Sequence, residues 1–140
     1  MSTRGRRLAF DYGSVRIGVA ICDPDGILAT PLPFLSTAHP KLNQQISKLI
    51  DEYEPIEIFI GNPKHLSGAD GESAAFVEVF KANLALLTEV PLTLVDERLS
   101  TVSAARLLQD SGKNSKESKL LIDSMSAVAI LEQGLRIEKR

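Results

Sequence analysis

The sequence has a single cysteine, no tryptophan, and only five phenylalanines and two tyrosines in 140 residues. With Cys22 alone an intramolecular disulfide is impossible and a zinc site built on thiolates lacks ligands, so the residue reads as a small buried hydrophobe. A strong excess of charge is missing too: 16 Lys and Arg face 18 Asp and Glu, giving a net charge of −2 and a pI near 5.7. Such a chain does not coat nucleic acid by bulk positive charge; a polyanion must be met by a local patch. Two short basic clusters are available, Arg4, Arg6 and Arg7, and Lys113, Lys116 and Lys119, each otherwise readable as solvated surface. No apolar run approaches the ~20 residues of a membrane span, and "MSTRGRRLAF" lacks the apolar core of a secretory signal. The expectation is a cytoplasmic protein with no membrane partner. With 44% hydrophobic residues, residues 1–140 suit one domain that buries roughly two thirds of its unfolded surface.

What is present is a clear alternation of periods. Leu8 to Asp11, Arg16 to Cys22 and Ile27 to Leu35 are β-prone and separated by "YGSV" and "DPDG", turn chemistry that closes antiparallel hairpins. Pro31 and Pro33 each remove a ladder donor and place the third strand at an edge. Leu42, Ile46, Leu49, Ile50 and Tyr53 then recur at helical spacing until Pro55, and "IEIFIG" follows as a buried strand. "NPKHLSGADG" reads as a loop. A helix is expected from about Gly71 to Thr88, with Ala75, Phe76, Val79, Phe80, Ala82 and Leu86 or Leu87 inward. The strand "PLTLVDE", a helix capped by Ser100 or Thr101 and ending at Gly112, a mobile "KNSKESK" and a last helix from about Glu117 to Leu135 complete the chain. The order βββαβαβαα implies a mixed five-stranded sheet flanked by helices, because parallel neighbours need crossover helices.

Three carboxylate positions conflict with their surroundings. Asp11 ends an apolar strand and shares the face of Ala9. Asp96 and Glu97 close another strand in "LVDERLST"; successive strand residues face opposite ways, so only one of them can point at a given site, and spacing does not say which. On the last helix Asp123 has Leu120, Ala127 and Ile130 at i−3, i+4 and i+7, within an apolar stripe. Read singly, Asp11 could accept turn N–H groups and Asp123 could pair with Lys119. Together they offer the oxygen ligands that Mg²⁺ or Mn²⁺ requires, and two such ions stabilise both the attacking and the leaving oxygen of a phosphodiester displacement. Gly13 and Gly18 allow close backbone approach, Gly61, Gly68 and Gly71 give the intervening loop freedom, and Lys64 and His65 place donors on it.

"DYGSVRIGVAICDPDG", "IGNP", "VDERLST" and "KLLIDSMSAVAIL" occur in that order. Together they resemble the YqgF family of ribonuclease H-like bacterial proteins, described as pre-16S rRNA nucleases or Holliday junction resolvase-like proteins, over about Leu8 to Leu135. The resemblance implies a two-metal nuclease site. Asp11, Glu97 and Asp123 match the family's acids and would hold the ions, with Asp11 shared between them and a metal-bound water attacking phosphorus in line. Arg16 and Arg98 match its arginines and, with Lys64, Lys116 and Lys119, would face nucleic acid. Asn62 departs from the usual apolar residue of the "GLP" segment, and Ser124, Met125 and Ser126 replace an Ala-rich run; neither removes a ligand. The implied function is maturation of the 16S rRNA 5′ end, with ribosomal precursor particles as partners. The alternatives are a DNA junction resolvase and a non-catalytic RNA-binding assembly factor. A nucleotide-binding domain of the actin and sugar-kinase type is disfavoured, since those proteins need two such units and 140 residues supply one.

Overall fold

The structure, a computed structural model, describes residues 4–62, 71–96 and 115–138, with side chains of the latter two segments described for 75–95 and from 124 onward. Strands β1 (Arg7–Tyr12), β2 (Arg16–Cys22) and β3 (Ala29–Ser36) are followed by helix α1 (Leu42–Tyr53), β4 (Glu57–Asn62), α2 (Gly71–Leu87), β5 (Leu92–Asp96) and α3 (Ser115–Glu138). The five strands form one sheet in the order β3-β2-β1-β4-β5. β1 pairs antiparallel with β2, and β2 with β3, whereas β1, β4 and β5 run parallel. The mixed sheet and the edge position of the strand carrying Pro31 and Pro33 are as the sequence predicts. The helix expected between Ser100 and Gly112 lies outside the described residues.

The pleat sorts side chains into two cores. Leu8, Phe10, Ile17, Val19, Ile21, Ile58 and Ile60 face Ile46 of α1 and Val77, Phe80 and Leu84 of α2. There the Phe80 ring meets Phe10 edge-on at 5.6 Å between centroids and lies 4.8 Å from Tyr12. On the opposite face Ala9, Ala20, Cys22, Phe59 and Val95 pack beneath Ala127, Val128, Ile130, Leu131 and Leu135 of α3. Helices thus cover both faces, as parallel strands require. Cys22 is buried as expected, and the Arg7 N–H donates to its sulfur at 3.1 Å. Among the described residues no helix is long and apolar enough to cross a membrane.

Three local readings are corrected. The buried stripe of α2 is Val77, Phe80 and Leu84, while Ala75, Phe76, Val79, Ala82 and Leu86 are exposed. α2 is apolar nearly all round, so its periodicity selects no face and the sheet decides. The stretch expected to be mobile after Asn114 is helical from Ser115; Lys and Glu are good helix formers, and their charge was no reason for disorder. β3 begins at Ala29 and not at Ile27, because the Asp23 carboxylate accepts the N–H groups of Ile27 and Leu28 at 2.7 and 2.9 Å and holds both residues in the turn. Gly26, at φ +68°, completes that turn in a conformation other residues rarely adopt.

The course of α3 positions the site. At its C-terminal end Glu138 receives two hydrogen bonds from the Arg7 guanidinium, 2.9 and 3.2 Å, at the start of β1. Gly134 packs on the Phe59 ring. Nearer its N-terminal end Ser124 reaches β2 and β3. The helix therefore runs against the direction of β1, and its first half lies toward the carboxyl end of that strand.

Candidate nuclease site

Asp11 is the fifth residue of the middle strand, at its carboxyl end. Alternation with the buried Phe10 and Ala9 places it on the α3 face, as expected from the sequence, and it is half-buried. Its cross-strand partner is Gly18, which contributes no side chain to that face. The neighbouring ladder between β2 and β3 is irregular at this level: Ile17 pairs with Leu35 but Val19 with Leu32, so β3 carries one extra residue beside Gly18. Bulges of this kind commonly re-aim chain beside functional sites. The β1–β2 hairpin is tight, since a Cβ on Gly13 would meet the Arg16 carbonyl oxygen at 2.6 Å. Thr37 braces it by donating its hydroxyl to the Gly13 carbonyl at 2.7 Å.

Ser124 is fully buried. Its Oγ accepts the Val19 N–H at 3.2 Å and donates to the Leu32 carbonyl at 2.5 Å. Val19 and Leu32 are the residues at which the irregular ladder resumes. Asp123 is the preceding helical residue, one step from this anchor; its own side chain lies outside the described residues. Sequence reading treated Ser124 only as a departure from an Ala-rich run. The available signal was its spacing: Ser124, Ala127, Val128, Leu131 and Leu135 form the inward stripe, and a hydroxyl there must find partners.

On β5, Leu92 and Leu94 join the α1–α2 core and Val95 joins the α3 core. Leu92 and Leu94 thus follow the face away from Asp11, and Val95 follows the face of Asp11. Asp96 is paired in register with Asn62 at the ends of β5 and β4, the same end of the sheet as Asp11 because the three strands are parallel. Glu97, Arg98, Lys64, His65 and Gly68 lie outside the described residues, as do the side chains of Lys116 and Lys119 on α3. Among the described residues no group of three metal-ligating side chains is assembled. Gly61 is a buried residue of β4 and Gly71 the first residue of α2, so neither lends freedom to the loop between them.

Arg16, exposed at the first position of β2, lies with its guanidinium 5.2 Å from the centre of the Phe34 ring. Two of the three arginines at the start of the chain are engaged elsewhere. Arg7 is buried against Glu138 and the Gly5 carbonyl, and Arg4 pairs with Asp25 at 2.9 Å. A strand-start arginine in "RRLAF" carried no sequence signal of a buried pair, because its partner is 131 residues away.

A parallel-to-antiparallel sheet with an acid at the end of its middle strand, beneath a helix that carries a further acid, defines the ribonuclease H-like class. The fold is shared with RuvC of Thermus thermophilus, alone and in complex with a Holliday junction substrate; the superpositions give TM-scores of 0.59 and 0.61 over 96% of both chains at 13% and 12% identity. The RuvX family model, described as Holliday junction resolvase, matches residues 5–137, and the chain belongs to that family. A Streptomyces avermitilis protein named "Putative pre-16S rRNA nuclease" is 46% identical over 97% of this chain and 88% of its own length. A namesake from Streptomyces coelicolor is 48% identical over 97% and 83%. The chain is thus an enzyme, a nuclease of the class that hydrolyses phosphodiester bonds.

Proposed function

We propose that this protein, acting as one unit over residues 1–140, is a divalent-metal-dependent nuclease in the cytoplasm that trims the 16S rRNA precursor. The observation that carries the reading is Asp11: a half-buried carboxylate at the carboxyl end of the middle strand, opposite a glycine and on the face covered by α3. The carboxyl ends of parallel strands are where open α/β sheets place their ligands. Carboxylate oxygens suit Mg²⁺ or Mn²⁺, hard ions that keep part of their shell for water and phosphate oxygens. Asp11, Glu97 and Asp123 would hold the metal, which when bound would polarise the phosphoryl group and activate water. Glu97 is taken over Asp96 from the resemblance of "VDERLST" to the family motif. Arg16, with Lys64, Arg98, Lys116 and Lys119, would steady the phosphate backbone. RNA as substrate follows the names of the Streptomyces relatives.

The family description favours a second substrate, a four-way DNA junction. One experiment separates the two: cleavage of a 16S precursor leader and of a synthetic DNA junction, each with Mg²⁺ or Mn²⁺. The RNA should be cut at a defined position, and Asp11→Asn should lose more than about 100-fold in rate, beyond the usual effect of removing a group that only supports a ligand. Cleavage of the junction alone would reverse the substrate assignment. A wild-type protein that cuts neither, or an Asp11→Asn variant as active as the parent, would end the nuclease reading and leave an RNA-binding assembly factor.

A further inference from the structure

We propose that Ser124 is a positioning residue of the site: its hydroxyl, inserted where the β2–β3 ladder is interrupted, sets the height and rotation of α3 at the step that carries Asp123. This rests on the metal-dependent nuclease reading and adds a residue to it. Val19 and Leu32 are register partners, yet the Val19 N–H and the Leu32 carbonyl meet across Ser124 Oγ. The hydroxyl thus uses its one proton toward one strand and a lone pair toward the other, and both strands are tied to a single atom of the helix.

The surroundings show why this tie sets geometry and is not simply one more packing contact. The residues of α3 that follow on the inward stripe, Ala127 and Val128, are small, and the strand residues beneath are Ala9 and Ala20. Apolar contact between such side chains is non-directional. The clamp of Glu138 on Arg7 fixes the far end of α3, fourteen positions on, or about 21 Å of helix. Among the described side chains of α3, which begin at Ser124, the two Ser124 bonds are the directional contacts nearest to Asp123. They also tie the helix to Val19, the residue after Gly18, which is the cross-strand partner of Asp11. The height and rotation of α3 over the strand that carries Asp11 are therefore referred to one hydroxyl.

The readouts are Mn²⁺ binding by titration calorimetry, melting temperature without metal, and kcat and KM for the substrate that the wild type cuts. Ser124→Ala should fold, bind Mn²⁺ about 10-fold or more weakly, and lose kcat with KM changed less than about twofold, the pattern of a misplaced ligand. Ser124→Cys, which keeps a weak donor of similar size, should fall between the two. Glu138→Gln, which loosens the opposite end of α3, should lower the melting temperature while Mn²⁺ affinity stays at the wild-type value. A Ser124→Ala protein that melts early but binds Mn²⁺ and turns over like wild type would overturn the positioning role. So would equal losses of Mn²⁺ affinity in Ser124→Ala and Glu138→Gln, because the effect would then track stability alone. If Asp11→Asn retains both Mn²⁺ binding and cleavage, it is the metal-site reading itself that fails.

Discussion

At Gly134 α3 lies close on the sheet, and replacing it with alanine sets two known effects against each other. A Cβ built there would stand 2.8 Å from three carbons of the Phe59 ring, where ordinary contact begins near 3.4 Å. Phe59 cannot yield: it is 1% exposed, and its ring is enclosed in the core formed by Ala9, Val95, Ile130 and Leu131. Relief requires α3 to rise from β4 by several tenths of an ångström or the ring to leave its rotamer, and overpacking of this kind costs about 1–3 kcal/mol. Helix propensity acts the other way, since alanine is better than glycine in a helix interior by about 1 kcal/mol. Three simultaneous close contacts on an immobile ring put the steric cost at the upper end of its range, so the net loss should be about 2 kcal/mol. For a chain of this size that is a fall in melting temperature of roughly 6 °C, or an equivalent shift of the urea midpoint at unchanged slope. Gly134→Ala combined with Phe59→Leu should recover part of the loss, because the smaller side chain frees the space the methyl needs. A single variant as stable as wild type, or a double variant whose losses simply add, would refute the steric reasoning.

Glu138→Gln should cost about 1–2 kcal/mol in denaturant unfolding, less than a fully buried pair because the Glu138 side chain is 31% exposed while that of Arg7 is 7% exposed. Cys22, whose thiol is held above its ordinary pKa by burial, should resist iodoacetamide at neutral pH in the folded protein and react only on unfolding, as mass spectrometry would show. Asp23 is held below the ordinary carboxylate range by the N–H groups of Leu28 and Ile27. Its lowered pKa makes its contribution complete above the ordinary carboxylate pKa and lost as pH falls through the folded value. Asp23→Asn should therefore flatten the low-pH limb of the stability curve, measured by thermal unfolding from pH 6 downward; an unchanged limb would show that the turn does not report on this carboxylate.

Much of this protein could be read from residue order alone. The near-continuous apolar runs in "LAFDY" and "RIGVAIC", joined by a short turn, read as a hairpin buried on both faces, and Pro31 and Pro33 are tolerated at an edge. The placement of Asp11 at a strand end, on the face of Ala9, followed from the period of two. Other features were closed to such reading because their cause is distant in the chain. α2 presents apolar residues on every side, and only the sheet beneath it chooses Val77, Phe80 and Leu84 over Phe76, Val79 and Leu86. Arg7 looked like part of a basic patch until Glu138 arrived beside it. By itself the sequence determined the element order, the edge strand and the acid at the end of β1, since each rests on local periodicity and backbone chemistry. The tertiary structure alone decided which stripe of a helix is buried and which polar groups meet, among them Ser124 at the broken ladder between Val19 and Leu32, because those pairings join segments that are neighbours only after folding.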